Sequence, residues 1–416
     1  MLNKRVWKRL LGVEHTVLER LEAEETARGE PVLVARVRPV ARRVLRCPHC
    51  DRRCGRYDAG DGRRRWRTLD LGTLRCLLEA DAPRIRCRDH GVRVAAVPWA
   101  RPGARFTGAF ADTAAWLTSR SPASTVAQFL RITWRSVQSI VAGVVASRAD
   151  GIDRLAGLRR IGIDEIAYRK GQRYLMVVVD HDSGRLVWAA EGRNSATLAR
   201  FFADLGPERA GRLTHVSADG ATWIHTTTAD HAPQALICLD AFHVVMWATD
   251  ALDDLRRGMA ADLRRRGSTG PASTLKNTRW ALIKSPADLS GDQRTTIASI
   301  AATNKRLYRG YLIKEQLRAV FAAGADGGRA LLGGLIAWCR RCRIPQFVKL
   351  GRTLTRYQPL IINALESGLS NARVEATNTH LRALTKRANG FHTPQALIAM
   401  AALTRGGLCP PLPGRT

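Results

Sequence analysis

The sequence predicts an α/β fold, namely an α/β domain with a helical insertion, preceded by a small β-rich module and a helical module. Three observations predict this arrangement. Residues 1–104 alternate in short strand-like runs such as PVLVARVRPV and VRVAAVPWA. Residues 105–150 change to helical periodicity. From about residue 159, strand and helix patterns follow in the order β-β-β-α-β-α-β.

The composition indicates a polyanionic partner. The 416 residues include 67 Lys and Arg against 36 Asp and Glu, a net charge of +31, which favours nucleic-acid binding. An arginine-rich genome inflates this charge but does not account for so large an excess of bases. The sequence contains no run of about 18 apolar residues, the length that a membrane span needs. The first residues also lack the apolar core of a secretory signal. We therefore expect no membrane partner, a cytoplasmic location, and cysteines that are thiols or metal ligands.

The β-rich module, residues 1–104, carries a candidate zinc site. A CxxC and a CxxH pair supply four candidate ligands: Cys47, Cys50, Cys87 and His90. Thiolates and an imidazole on two such knuckles suit tetrahedral zinc. The gap of 36 residues between the pairs is long for a compact finger, and His49 and Cys54 compete for a ligand position. The Arg-rich loop DAGDGRRRWR is expected to contact DNA phosphates through Arg64 and Arg65.

Residues 105–150 are predicted to form a helix-turn-helix, with helices at about 111–119 and 124–131. A third helix, 134–146, would be the recognition helix and would present Arg135 and Gln138 to a major groove. The predicted apolar core consists of Val126, Phe129, Leu130, Val137, Ile140 and Val141. The alternative is an ordinary helical linker.

Aspartates at strand positions mark a candidate active site in the α/β domain, whose first part we place at 155–246. Asp164 lies in GIDE, inside the first strand, where charged residues are rare unless paired or metal-bound. Asp219 ends the fourth strand in VSADG and Asp240 ends the fifth in CLDAF. Such ends gather at one edge of a sheet. Glu165 follows Asp164 directly and is expected to point to the opposite face.

A late helix, within the segment 351–405 that we assign to the catalytic core, keeps one acid among bases. The sequence NARVEATNTHLRALTKRANGF contains Glu375, with the bases Lys386 and Arg387 near its end. The residues expected to orient Glu375 and hold DNA lie at helical spacings from it: Asn371, Asn378 and Arg382. With Asp164 and Asp219, Glu375 would hold two magnesium or manganese ions. The alternative is a solvated surface glutamate.

The segment 247–350 is predicted to be a charged helical insertion. Lys276 and Arg279 are expected to follow DNA backbones. Trp280 either stacks on an unpaired base or belongs to the core. The pair in WCRRC, Cys339 and Cys342, has no second pair beside it and is interpreted as two thiols on a helix. The stretch 264–274 and the tail 406–416 are expected to be loose.

The combination of motifs resembles the ISL3 family of insertion-sequence transposases. The matching segments cover nearly the whole chain: CPHC, CRDHG, GIDE, VSADG, LDAFHVV, KNTRWALIK, NKRLYRGYLIKEQLR and NARVEATNTHLRALTKRANGF. The resemblance implies an RNase H-like DDE domain, a zinc ribbon and a helix-turn-helix. It also implies cleavage and strand transfer at terminal inverted repeats, with transposon-end and target double-stranded DNA as partners. The resemblance further implies that the protein forms a homodimer or higher oligomer on DNA. It also implies that the protein associates with the nucleoid of a bacterium.

The resemblance assigns Asp164, Asp219 and Glu375 as the three acids. Asp240 and His243 resemble a supporting C/D-x-x-H element. Asp240 is the alternative second acid, but Asp219 is preferred because in RNase H-like folds that acid ends the fourth strand. A non-catalytic zinc-ribbon and helix-turn-helix regulator derived from a transposase is the second hypothesis. A tyrosine recombinase using Tyr308 or Tyr311 is weaker, because the Arg and His cluster that it needs is not recognisable.

Overall fold

The computed structural model describes residues 4–27, 29–169 and 171–415. The chain divides into two compact units. The first unit contains Met1–Ile152 together with Arg387–Thr416, and the second contains Asp153–Lys386. The first unit is therefore discontinuous in sequence, because the chain returns to it after completing the second.

The amino-terminal part of the first unit is built from strands. Its described elements are α1 (Lys4–Leu10), β1 (Thr16–Glu25), β2 (Pro31–Pro39), β3 (Gly55–Asp58), β4 (Arg63–Leu71), β5 (Leu74–Asp81), β6 (Arg84–Cys87) and β7 (Gly91–Val94). They form a four-stranded sheet in the order β1-β2-β5-β4 and a three-stranded sheet in the order β3-β6-β7. Trp66 and Trp99 pack edge to face in the core of the larger sheet, with ring centroids 5.5 Å apart.

The Arg-rich segment predicted as a loop is strand β4, so that prediction is wrong. β4 pairs antiparallel with β5, and the buried Trp66 alternates with its arginines. Arg65 forms ion pairs with Glu24 and Glu79 at 2.8 and 2.7 Å, and Arg64 donates to two backbone carbonyls. The two-residue period of a half-buried strand explains the pattern better than a charged loop does.

Three helices follow, at positions close to those predicted: α2 (Gly108–Arg120), α3 (Ala123–Leu130) and α4 (Trp134–Ala149). Thr133 caps α4 by accepting from the Ser136 amide. Arg131 adopts a left-handed conformation, with φ 54°, between α3 and α4. The predicted core residues are buried except Phe129, which is 71% exposed. That assignment is wrong, because the buried face of α3 carries Val126, Ala127 and Leu130.

The second unit begins with the predicted order of strands and helices, apart from one additional short helix, α6. Its elements are β8 (Arg160–Arg169), β9 (Arg173–Asp180), β10 (Leu186–Glu191), α5 (Ser195–Leu205), α6 (Pro207–Ala210), β11 (His215–Ala218), α7 (Thr222–His231) and β12 (Leu236–Leu239). The sheet order is β10-β9-β8-β11-β12. β8, β9 and β10 are antiparallel neighbours, whereas β11 runs parallel to both β8 and β12.

A long helical segment continues the second unit. Its helices are α8 (Ala241–Arg265), α9 (Thr269–Asn277), α10 (Arg279–Ile283), α11 (Gly291–Thr303), α12 (Lys305–Ala322), α13 (Gly324–Arg341), α14 (Pro345–Arg356) and α15 (Gln358–Ser367). One hydrophobic core joins helices from α8 to α15. Helix α9 occupies most of the stretch 264–274 that was expected to be loose, so that expectation is wrong.

The last two helices belong to different units. α16 (Ala372–Arg387) ends the second unit, and α17 (Pro394–Arg405) lies in the first, where it packs on α4 and α2. The sequence predicts that 351–405 belongs as one piece to the catalytic core. The structure differs because α14 and α15 share the core of the insertion and α17 buries its apolar face in the first unit. In the tail, Leu408 is buried rather than loose.

A fully buried lysine fastens α12 to the end of α10. Lys314 has no exposed surface, and its Nζ donates to the Leu282 and Lys284 carbonyls at 2.6 and 3.0 Å. It also pairs with Glu315 at 2.5 Å. Burial lowers the pKa of Lys314, and Glu315 opposes that shift. The ammonium group thus replaces water for several otherwise unpaired acceptors.

Replacing Lys314 with methionine should destabilise the protein by about 2–4 kcal/mol. The change leaves two buried carbonyls and a carboxylate without their donor. Removing one partner of a buried pair lowers the free energy of unfolding by more than the intact pair adds to it. Urea unfolding of the variant measures the loss. Lys349→Met, on the exposed side of α14, is the matched control and should remain within about 0.5 kcal/mol of wild type. Equal stability of the two variants would contradict a fastening role.

Candidate active site and zinc site

Three aspartates stand at one edge of the sheet in the second unit. Asp164 lies within β8, Asp219 directly follows β11 and Asp240 directly follows β12. These three strands are parallel neighbours, so their carboxyl ends meet at the same edge. Burial raises the pKa of the Asp164 carboxyl, and the charges of Asp219 and Asp240 raise it further. The structure therefore brings the two predicted strand acids and Asp240 into one electrostatic cluster.

A histidine completes this cluster. Asp240 caps α8 and accepts from the His243 amide, and His243 Nδ1 lies 2.8 Å from Asp240 Oδ2. That hydrogen bond raises the pKa of His243, and the charges of Asp219 and Asp164 act in the same direction. The structure thus pairs the two residues that resemble a C/D-x-x-H element. His243 therefore places a basic ring beside a group of crowded acids.

Helix α16 lies across β8 and joins the cluster through Asn378. The buried Asn378 side chain donates to Asp164 Oδ2 at 2.7 Å. At the same strand, a Cβ on Gly162 would lie only 2.3 Å from Val374 Cγ2, so glycine permits the close approach of the helix. Glu375 is in the first turn of α16 and is exposed. Arg382, two turns later, is exposed as well.

The three predicted catalytic acids are not gathered as tightly as the cysteine site. Within the described part of the chain, only Cys47, Cys50, Cys87 and His90 form a group of three or more Cys, His, Asp or Glu with all ligand atoms within 4.8 Å. Asp164, Asp219 and Glu375 do not meet that spacing. The structure places Glu375 on a helix attached to the strand of Asp164, and places Asp164 near Asp219.

Glu165 occupies an environment that sequence reasoning did not find. Its side chain is 7% exposed and lies 2.6 Å from Arg193. Burial raises the pKa of Glu165 to about 7, Arg193 opposes the shift, and Asp219 and Asp164 add to it. Strand alternation predicts that Glu165 leaves the face of Asp164, but it does not reveal the arginine, which comes from the loop after β10.

The cysteine site has the dimensions of a tetrahedral metal centre. The Cys50 and Cys87 sulfurs are 3.7 Å apart, and His90 Nδ1 lies 3.7 Å from Cys47 Sγ and 3.5 Å from Cys87 Sγ. Ligands about 2.3 Å from a tetrahedral zinc are about 3.8 Å from one another. The hydrogen bond from His90 lowers the pKa of Cys87 to about 6. The donor set and its spacing support structural zinc.

The competing ligands stand outside this group. His49 is exposed and stacks on the His90 ring at 5.1 Å. The Cys54 thiol donates to the Arg52 carbonyl. Cys76 is buried in β5. Cys339 and Cys342 are buried free thiols.

The residues predicted to contact DNA differ in their exposure and in whether they already bond within the protein. Exposed or half-buried members are Arg135, Gln138, Lys276, Arg279, Trp280 and Lys386. Trp280 is 59% exposed, which excludes the core alternative, and Arg279 lies over its ring at 5.0 Å. Arg387 donates to the Thr118 and Ser119 carbonyls. Arg64 and Arg65 are engaged within the first unit, as described above.

Family models match most of the chain. A model described as transposase matches residues 161–401, one described as the helix-turn-helix domain of transposase family ISL3 matches 95–145, and one described as the zinc-finger of transposase IS204/IS1001/IS1096/IS1165 matches 43–90. The chain belongs to the ISL3 family of transposases. The resemblance found in the sequence is thereby confirmed, including the zinc ribbon and the helix-turn-helix that precede the transposase domain.

Curated relatives of this ISL3 transposase agree along the full length. The transposase for insertion sequence element IS1557 of Mycobacterium tuberculosis is 49% identical over 436 residues, covering 100% of this chain and 98% of the relative. The transposase for insertion sequence element IS1001 of Bordetella parapertussis is 26% identical over 94% of this chain and 95% of the relative. Membership implies DNA cutting and transfer, with DNA binding through the helix-turn-helix. Among the described residues, no helix is long and apolar enough to cross a membrane.

Proposed function

We propose that this transposase binds the terminal inverted repeats of its own insertion sequence and cuts and transfers DNA strands with a DDE site formed by Asp164, Asp219 and Glu375. The second unit would be an RNase H-like domain. The strand order β10-β9-β8-β11-β12 supports this, because three antiparallel strands precede two parallel strands reached through helices.

One hydrogen bond carries the proposal. Asn378 and Asp164 are 214 positions apart, yet the amide of one donates to the carboxylate of the other at 2.7 Å. The bond attaches the helix that bears Glu375 to the strand that bears the first acid. If Glu375 were only a solvated surface residue, Asn378, one helical turn after it, would not need to bond to Asp164.

The donor set of the aspartate cluster fits a hard divalent cation. Asp164 is largely buried among acids that raise its pKa, and His243 is a neighbouring group whose charge opposes this shift. Crowded carboxylates of this kind are stabilised by a cation with oxygen ligands. When bound, two magnesium or manganese ions would activate the attacking water or 3′-hydroxyl and stabilise the leaving oxygen. Asn378 orients Asp164, and Asp240 orients His243.

The basic residues divide into recognition and positioning roles. Arg135 and Gln138 on α4 would read base edges of the transposon end. Lys276, Arg279 and Lys386 would hold phosphates, and Trp280 would stack on an unpaired base. Two transposon ends have to be held together for transfer, so we propose that the protein acts as a homodimer or higher oligomer, in the bacterial cytoplasm on nucleoid DNA.

Magnesium-dependent cleavage of labelled DNA that carries the element's own ends tests the proposal. Glu375→Gln should reduce cleavage by about a thousandfold, since loss of a metal ligand removes several kcal/mol of transition-state stabilisation. Binding of the ends should be unchanged. Glu366→Gln, which changes an exposed acid on α15, is the matched control and should cleave as wild type does.

The other outcomes discriminate between the hypotheses. Equal cleavage by wild type and Glu375→Gln would make Glu375 a surface residue. Binding without cleavage by both proteins would favour the DNA-binding regulator.

A further inference from the structure

A chain of buried polar side chains lies beneath the first turn of α16. His181 Nε2 is 2.6 Å from Ser217 Oγ, and the Ser217 hydroxyl donates to Asn371 Oδ1. The Asn371 carbonyl in turn accepts from the Glu375 amide at 2.7 Å. All three side chains are at least nine-tenths buried. The chain therefore connects the turn after β9, through β11, to the backbone of Glu375.

The hydrogen bonds of this chain have one direction. Burial lowers the pKa of His181 to about 4, with the charges of Arg373 and Arg160 adding to the shift, so the ring is neutral at pH 7. Because the Ser217 hydroxyl gives its hydrogen to Asn371, it accepts from His181. His181 therefore carries its hydrogen on Nε2.

Gly162 and Arg373 lie close to this chain of side chains. A Cβ on Gly162 would lie 2.8 Å from His181 Nε2 and 3.0 Å from Ser217 Oγ. Arg373, in the same turn of α16, donates to the carbonyls of His181 and Asp182. The first turn of α16 is thus attached to the sheet through both a side-chain relay and a backbone contact.

We propose that His181, Ser217 and Asn371 are positioning residues that fix the first turn of α16 and so hold Glu375 at a set place relative to Asp164. The proposal rests on the proposed function, in which Glu375 is the third acid. Glu375 is exposed, and the position of the helix backbone limits where its carboxylate can reach. The contact that carries this effect is the bond between the Glu375 amide and the Asn371 carbonyl.

Two substitutions of His181 separate positioning from simple core filling. A glutamine amide nitrogen stands close to the position of His Nε2, whereas that of asparagine stands close to the position of His Nδ1. His181→Gln therefore keeps a donor for Ser217, and His181→Asn loses it. Ser217→Ala breaks the same chain at its centre. Thr227→Ala, which removes a buried hydroxyl bonded to the Trp223 carbonyl in α7, is the matched control.

Two quantities are measured for each full-length variant. The first is the magnesium concentration that gives half-maximal cleavage of transposon-end DNA. The second is the hydrogen-exchange rate of the Glu375 amide without metal. His181→Asn and Ser217→Ala should raise both by about five- to tenfold, the effect of losing one buried hydrogen bond. His181→Gln and Thr227→Ala should remain within about twofold of wild type, and end binding should be unchanged in all four.

The outcomes are separable. Equal values for His181→Asn and His181→Gln would overturn the proposal, as would an equal shift in Thr227→Ala, since the chain would then contribute only to stability. If Ser217→Ala fails to fold, the comparison of His181→Asn with His181→Gln still tests the proposal. If Glu375→Gln cleaves as well as wild type, the proposed function fails, while the exchange of the Glu375 amide still shows whether the chain holds α16.

Discussion

Asp219→Asn is expected to reduce strand cleavage by about a thousandfold and to leave binding of the transposon ends intact. The substitution removes a carboxylate from the proposed metal site, whose contribution is several kcal/mol, and asparagine keeps nearly the same shape. The Asp219 side chain also accepts from the Ala221 amide at 2.9 Å, and the asparagine oxygen preserves that bond. Labelled end DNA in magnesium measures cleavage, and mobility shift measures binding.

Asp240→Asn is the comparison that identifies the second acid. Asparagine is as good a helix cap as aspartate, so α8 should keep its start, and cleavage should fall by about tenfold or less through the weaker bond to His243. Asp262→Asn, on the exposed side of α8, controls for the change of charge. An active Asp219→Asn beside an inactive Asp240→Asn would show that Asp240, and not Asp219, is the second acid.

Cys47→Ser is expected to abolish zinc binding and to disrupt the ribbon. The Cys47 sulfur is buried beside Cys87 and Ile85 in a small core, and a core of this size depends on its metal. Structural zinc contributes about 10–16 kcal/mol in small domains, so the loss should unfold the ribbon locally and weaken end binding by more than about tenfold. Metal analysis of the purified protein gives the zinc content.

Cys54→Ser is the matched control for this experiment. Cys54 lies next to the site, but its thiol bonds to the Arg52 carbonyl and is absent from the four-ligand group. The variant should keep one zinc per chain. Unchanged zinc content in Cys47→Ser, or its loss in Cys54→Ser, would contradict the assignment of ligands.

Local patterns were sufficient to predict most elements. Short strand-like runs predicted the β8, β9 and β10 strands, and a helical period predicted α4 to within a few residues. The CxxC and CxxH pairs were identified because metal ligands on one knuckle are close in sequence. In contrast, the charges of the Arg-rich β4 predict a loop, because they obscure the alternation of the buried Trp66 and Thr68.

Two predictions are wrong because the burial of a residue or helix depends on the elements that pack against it. Phe129 was placed in the core on hydrophobicity, yet the turn at Arg131 and the packing of α3 leave it in solvent. α17 was assigned to the catalytic core on continuity of sequence, yet its apolar face is buried in the first unit.

The sequence by itself determined the family, the charge that favours DNA, the candidate zinc ligands and the order of strands that carry Asp164, Asp219 and Asp240. These features depend on residues that are near one another in the chain or on residue types that only a few chemistries require. The tertiary structure alone decided that Asn378 bonds to Asp164, that Arg193 pairs with Glu165, and that Ser217 holds Asn371, 154 positions away. Such contacts form only when helices and strands pack together, and no local pattern encodes which distant partner a buried polar group will find.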